Sequence, residues 1–340
     1  MIAATASAVM LSACAPTVRP TLPSAGSSGP AVPAAPVLTE ERYVAADGTV
    51  LPVTVWPADR SPPRAIILGL HGFGDYRLAW EEPAGIWARD GFTTWAYDQR
   101  GFGASPTRGR WPGTEALVDD ALAMITLLRA RYPDVPLYLA GESMGGAVAL
   151  VAADRGAPVD GLVLLATALR SRDTLGPFAS AGLWFFAHTV PWLPSGPTSI
   201  DYRPTDNPTT LEKLRKDPQM LRQVRLDMAY GLVDLMDEAR RAAEQVQLPY
   251  LMLHGLGDRI VPQAPVKAAI EVMPRRADSR LAFYKDGYHL LLRDKEGKRV
   301  AVDVAAWIAD PRAPLPSGAD AERSQPTLAR LWGSKRVNRP

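Results

Sequence analysis

Leu137-Tyr138-Leu139-Ala140-Gly141-Glu142-Ser143-Met144-Gly145-Gly146 reads as a buried strand running into Gly-x-Ser-x-Gly, followed by a helix through Gly146-Ala147-Val148-Ala149-Leu150-Val151-Ala152-Ala153. A serine on a sharp strand-to-helix turn has its hydroxyl lifted clear of the backbone. Glycines two before and two after it let neighbouring chain pass close. The helix that starts there points its N–H groups and positive end at any oxyanion forming beside the serine. The bare pentapeptide is common. The order of strand, serine and helix is what makes Ser143 a candidate nucleophile.

Strands and helices alternate on both sides of this turn. Glu41 to Trp56 reads as a hairpin turning at Asp47-Gly48. Residues 65–70, 92–97, 137–140, 161–166, 250–254 and 281–284 read as short apolar strands. Residues 79–90, 114–131 and 298–308 read as helices, with Thr114 as N-cap of the second. Such a pattern predicts an α/β fold with a mostly parallel central sheet and helices on both faces. Residues 167–247 break the alternation, with an aromatic stretch around Trp184-Phe185-Phe186 and charged helical stretches at 209–217 and 219–245. An insertion there sits over the carboxyl ends of the strands, where such sheets bind ligands. It is expected to be a helical cap inserted before the penultimate sheet strands. Trp184, Phe185 and Phe186 line an acyl pocket, face a membrane or simply pack the cap.

A serine hydroxyl needs a base within hydrogen-bond reach. Of the four histidines (His71, His188, His254, His289), only His289 lies downstream of a credible acid placed just past a strand, Asp258 in Gly257-Asp258. Ser143, Asp258 and His289 then follow in the order serine, acid, base. Asp227, Asp234 and Asp237 fall in expected cap helices and are worse placed. Two backbone donors are expected to hold an oxyanion: Met144 N–H and Phe73 N–H, the latter in His71-Gly72-Phe73-Gly74. His71 and His254 read as structural. Gly101-Phe102-Gly103 lacks a phosphate-loop signature and reads as a turn.

The motifs His71-Gly72-Phe73-Gly74, Asp98-Gln99-Arg100-Gly101-Phe102-Gly103, Gly141-Glu142-Ser143-Met144-Gly145-Gly146, Gly257-Asp258 and Gly287-Tyr288-His289 together resemble the monoacylglycerol lipase and lysophospholipase group of serine hydrolases. The resemblance covers residues 41–310 and implies an α/β-hydrolase fold. It also implies a cofactor-free esterase acting on single-chain lipids or similar esters through an acyl-enzyme on Ser143. Many members of that group carry His where Glu142 stands. The same scaffold also serves C–C hydrolases, peptidases and perhydrolases, or a non-catalytic exported binding protein.

The 340 residues are 47% hydrophobic and 22% charged, with a formal net charge of +2. There is no basic excess of the kind that nucleic acid would require. The one cysteine, Cys14, excludes an intrachain disulfide and a cysteine-built zinc site. It closes a short apolar stretch, residues 1–14, ending Leu11-Ser12-Ala13-Cys14. This resembles a bacterial lipobox, in which the cysteine is lipidated and anchors the protein to a membrane. Ala13-Cys14-Ala15 also fits a cleavage site that would release a soluble protein, and no Lys or Arg precedes the apolar run. The expectation is a protein of the bacterial cell envelope. Residues 15–40 then read as a Pro/Ala/Ser-rich linker and residues 311–340 as a Pro-rich tail.

Overall fold

The computed structural model describes residues 35–320, apart from 171, 173–174, 196–202 and 262. The expected signal peptide with Cys14, most of the expected linker and residues 321–340 lie outside the described residues. The strands are β1 (Val37–Leu38), β2 (Arg42–Val44), β3 (Val50–Trp56), β4 (Ala65–Leu70), β5 (Phe92–Tyr97), β6 (Leu137–Glu142), β7 (Gly161–Leu165), β8 (Tyr250–Gly255) and β9 (Arg280–Tyr284). They form one sheet in the order β1-β2-β3-β5-β4-β6-β7-β8-β9. The first three strands and the β3–β5 pairing are antiparallel; from β5 to β9 every pairing is parallel. β4 sits between β5 and β6. The order reverses there, so the loops leaving β4 and β6 flank a crevice at the carboxyl edge.

The helices are α1 (Glu81–Arg89), α2 (Thr114–Arg131), α3 (Met144–Asp154), α4 (Pro177–Thr189), α5 (Pro208–Lys216), α6 (Leu226–Gln245), α7 (Gln263–Val272) and α8 (Gly297–Ala309). The period-two rule of strands explains why they need two layers. Ile66, Leu68 and Leu70 of β4 join one core with Leu162, Leu164 and Met252, under α2, α3, α6 and α7. Ala65 and Ile67 join the opposite core with Val163, Leu165 and Leu251, under α1 and α8. Both faces of these strands are dry, which is why they read as unbroken apolar runs. The structure is therefore an α/β-hydrolase fold with a mostly parallel sheet.

Several boundaries differ from the sequence reading. Val37 and Leu38, inside the expected linker, pair with Val44 and Tyr43. Two apolar residues suffice to extend the sheet, and the composition around them hid them. The first ten residues of the expected tail are packed. Leu315 and Ala319 are buried, Phe283 N–H donates to Ala319 O at 3.2 Å, and Ser317 N–H donates to Asp303 at 2.9 Å. This return covers β9, which is the sheet edge. Gly113, with φ 91°, is the N-cap of α2, and Thr114 is its first helical residue. α6 starts at Leu226 rather than 219 because residues 193–195 bond to the preceding segment, Ser195 N–H to Val224 O at 2.7 Å among them. Its Ala239, Ala242 and Ala243, and Val246 just past its end, belong to the main core against α3. The second half of α6 is part of the body, not of the cap.

The turn after β6 depends on close backbone contact. A Cβ on Gly145 would stand 2.0 Å from Leu70 O, and one on Gly141 would stand 2.3 Å from Gly145 O. No side chain fits between α3 and the end of β4. Gly145→Ala should therefore destabilise the protein by about 1–3 kcal/mol or more, outweighing the ~1 kcal/mol gained in helix propensity. Thermal unfolding should fall by several degrees, and an unchanged midpoint would show that α3 can move off β4.

His254, at the end of β8, is buried, with no partner among the described residues on either ring nitrogen. Burial pushes its imidazole down to about 4, with the nearby Asp258 acting in the opposite sense. The unfolded chain binds a proton at ordinary histidine pH and the folded one does not, so stability is full above pH 6.5 and falls as pH drops towards 4. The loss is on the order of 3 kcal/mol. Urea unfolding across that window should show His254→Leu spared most of this loss, and parallel curves for the two proteins would refute it.

Candidate active site

Ser143 occupies the step from β6 into α3 with φ 54° and ψ −112°, a left-handed conformation rare for a residue with a Cβ. Such a residue costs about 1–3 kcal/mol and persists only where its surroundings over-determine it. Here Ser143 N–H donates to Leu165 O at 2.9 Å. Ser143 O accepts from Gly146, Ala147 and Ala168 N–H at 3.0–3.2 Å. The end of β7 thus clamps the turn from both sides. The serine is 9% exposed.

The loop after β4 lies alongside. A Cβ on Gly72 would be 3.4 Å from Ser143 Cβ, so Phe73 follows directly beside the serine. Among the described residues, neither Phe73 N–H nor Met144 N–H donates to a protein acceptor. His71 braces this loop. Its Nε2 accepts Gln99 N–H at 2.9 Å, which leaves the proton on Nδ1 for Gly72 O at 2.9 Å. Burial lowers its pKa and keeps it neutral. The loop from Asp98 to Ser105 consumes its own donors. Ala104 N–H goes to Asp98 and Gly101 N–H to Ser105 Oγ, so it is a structural turn.

Asp258 and His289 meet at the same edge. His289 Nδ1 lies 2.8 Å from Asp258 Oδ2, and both residues are 5% exposed. Asp258 Oδ1 accepts Ile260 and Val261 N–H at 2.8 and 3.0 Å. Burial by itself would raise the Asp258 carboxyl; the hydrogen bond and charge interaction with His289 and the Val261 N–H outweigh it and hold the carboxyl below its usual range. The other acids are engaged elsewhere: Asp227 with Arg225, and Asp234 and Asp237 with Arg172. His188 stacks on Trp184 in the cap, with ring centroids 4.5 Å apart.

Arg293 and Asp75, which sequence reading passed over, join the parts through Glu142. Arg293, four residues past His289, pairs with Glu142 and with Asp75, each at 2.6 Å. The sequence signals were a buried-looking run, Leu290-Leu291-Leu292, ending in Arg, and the unusual Glu beside the serine. The cap is stitched to the same loops. Leu290 N–H donates to Pro204 O and Leu221 N–H to Gly74 O, at 2.9 and 2.8 Å. Tyr76 hydroxyl donates to Asp217 at 2.5 Å. Trp184, Phe185 and Phe186 lie on α4 at 49–52% exposure, beside exposed Phe178, Trp192 and Leu193. Among the described residues, no group of three or more His, Cys, Asp or Glu could hold a metal ion.

Residues 61–296 match the family model described as Hydrolase_4, serine aminopeptidase, S33. Mouse (Mus musculus) monoglyceride lipase is 29% identical over 278 residues, spanning 78% of this chain and 89% of that protein. Phospholipase YtpA of Bacillus subtilis is 28% identical over 218 residues, 62% of this chain and 82% of the relative. A soluble variant of the Saccharomyces cerevisiae monoglyceride lipase superposes with a TM-score of 0.69 at 19% identity, covering 82% of this chain and 96% of the other. The family match spans more than half of the chain and falls on the sheet, the Ser143 turn and the Asp258–His289 pair alike, and the chain belongs to the Hydrolase_4 family of α/β-hydrolases.

Proposed function

We propose that this protein is a serine carboxylic-ester hydrolase of the lysophospholipase and monoacylglycerol lipase type. The observation that carries the reading is the buried Asp258–His289 contact of 2.8 Å at the edge where Ser143 sits on its strained turn. Ser143 Oγ attacks the ester carbonyl while His289 takes its proton. Asp258 holds the imidazole in the required tautomer and stabilises the imidazolium. Phe73 and Met144 N–H receive the oxyanion, and losing one such donor costs about 2.7–4 kcal/mol of transition-state stabilisation. The proton passes to the departing alcohol as the tetrahedral intermediate collapses to the acyl-enzyme. Water, deprotonated by His289, then releases the fatty acid and restores Ser143.

A monoglyceride lipase and a phospholipase among the relatives, at 29% and 28% identity, support a lipid acyl ester as the common substrate element and leave the head group and the number of acyl chains open. The exposed aromatic face of α4 suits access to such lipids. The family description also names an aminopeptidase, which gives a second reading on the same residues. A panel of monoacylglycerols, lysophospholipids, short p-nitrophenyl esters and aminoacyl anilides separates the two. Esters should turn over and anilides should not; the reverse result would replace the esterase by a peptidase.

Ser143→Ala should abolish fluorophosphonate labelling and ester turnover, and labelling that survived would move the nucleophile elsewhere. Asp258→Asn should fold and lose about 10⁴-fold in kcat, whereas a wild-type rate would remove Asp258 from the mechanism.

The localisation we propose is the bacterial cell envelope, with Cys14 lipidated and residues 15–34 tethering the domain. Mass analysis of the N-terminal peptide from the membrane fraction should find a lipid-modified Cys14. A soluble protein cleaved after Ala15 would replace the anchor by release, and an unmodified Met1 in the cytosol would overturn export.

A further inference from the structure

Arg293, Glu142 and Asp75 form an ion cluster beneath the site, with side chains only 9%, 4% and 6% exposed. The guanidinium Nη2 reaches Glu142 Oε2 and Asp75 Oδ2, both at 2.6 Å. Each member sits on a different part of the site. Glu142 immediately precedes Ser143. Asp75 ends the loop that carries Phe73, and its Oδ1 accepts Tyr76 N–H at 2.8 Å. Arg293 closes the one-turn 3-10 helix Leu291–Arg293, which begins two residues after His289. Its own backbone is fixed at both ends: N–H to Leu290 O at 2.8 Å, and O accepting the Thr205 and Thr210 hydroxyls at 3.2 and 3.0 Å.

Buried ion clusters return little net stability compared with apolar packing of the same volume, because desolvation cancels most of the attraction. Two carboxylates compete for this one cation. Burial pushes the Glu142 carboxyl up, Arg293 and His289 pull it down, and Asp75 pushes it up again. What the cluster supplies better than stability is geometry. A single nitrogen bonded to the end of β6 and to the loop after β4, while carried by the segment after His289, leaves little freedom for relative movement among them.

Taking Ser143, His289 and the Phe73 N–H as the catalytic groups, as proposed above, we propose that Arg293 is a positioning residue. Through Glu142 and Asp75 it holds the base, the nucleophile and the oxyanion donor in mutual register. Glu142, in place of the usual neighbour of the serine in related enzymes, is then the partner that lets Arg293 grip the nucleophile turn directly. A misplacement of about 1 Å costs on the order of 10²-fold in rate.

The test is steady-state kinetics on a p-nitrophenyl ester, at a temperature where circular dichroism shows each variant folded. Arg293→Met should lower kcat by about 10²-fold with KM changed less than about threefold, since the loss falls on the transition state. Arg293→Lys should recover part of that loss. Glu142→Gln and Asp75→Asn, which keep side-chain shape, should each lower kcat. Glu142→Gln added to Arg293→Met should lower it no further, because the pair acts as a unit. If Arg293→Met does not fold, the two isosteric variants decide. Wild-type kcat in folded Arg293→Met, or in both isosteric variants, overturns the proposal. So does a loss confined to KM, which would make Arg293 a substrate-binding group. A wild-type protein without turnover or fluorophosphonate labelling would instead sink the esterase reading, a failure visible before any variant is measured.

Discussion

The structure depends on one constraint: the chain must pass from β6 into α3 through Ser143 in a left-handed conformation. That step is unfavourable by itself, and everything around it is arranged to hold it. Gly145 lies against the Leu70 carbonyl, Gly141 lies against Gly145, and Ser143 N–H and C=O are both taken up by the segment at and after the end of β7. The fully buried apolar strands on either side supply the rigid frame that offsets the strain. The same glycines that permit the turn fix the distance between α3 and β4, so the crevice at the switch point of the sheet has a defined width.

The other groups are on loops, and loops need separate restraint. Asp258 is fixed by two backbone donors on one oxygen, which leaves the other for His289. The loop with Phe73 is fixed through His71, whose burial keeps it neutral and therefore able to accept from Gln99 and donate to Gly72 at once. A protonated His71 could not accept the Gln99 N–H. The two buried histidines outside the Asp258 pair thus differ in kind: His71 is neutral and fully used, His254 neutral and unpartnered among the described residues.

The sheet was legible because its strands are buried on both faces and so read as continuous apolar runs. The strained turn at Ser143 and the meeting of Asp258 with His289 were legible because each of these residues follows such a run. The turn order and the Gly-x-Ser-x-Gly-Gly spacing carry direct steric meaning, which the Gly145 and Gly141 contacts express. Less was legible where structure depends on partners distant in sequence. β1 has only two residues and forms because β2 offers an edge. The start of α6 is set by residues 193–195, about 30 positions earlier. Helix α7 has no cap signal and packs by Val266, Ala269 and Ile270. The pairing of Arg293 was not legible because a lone arginine after three leucines gains meaning only when the fold brings Glu142 and Asp75 to it.

The cap divides into two parts with different attachments. Residues 203–221 bond to the His289 turn through Pro204, Thr205 and Asp206, and to the Phe73 loop through Asp217 and Leu221. A shift of that part would drag the His289 turn and the Phe73 loop with it. α4 has no such ties among the described residues. It leans on α6 through Ala187 and the His188–Tyr230 contact, and it presents its aromatic residues outward. A displacement of α4 would leave the Asp258–His289 contact and the Phe73 loop in place, whereas a displacement of α5 would break its bonds to Arg293 and Tyr76. Among the described residues, the part of the cap that carries the apolar surface is therefore the part without bonds to the loops of Phe73 and His289, and the part that is stitched down is the part that contacts them.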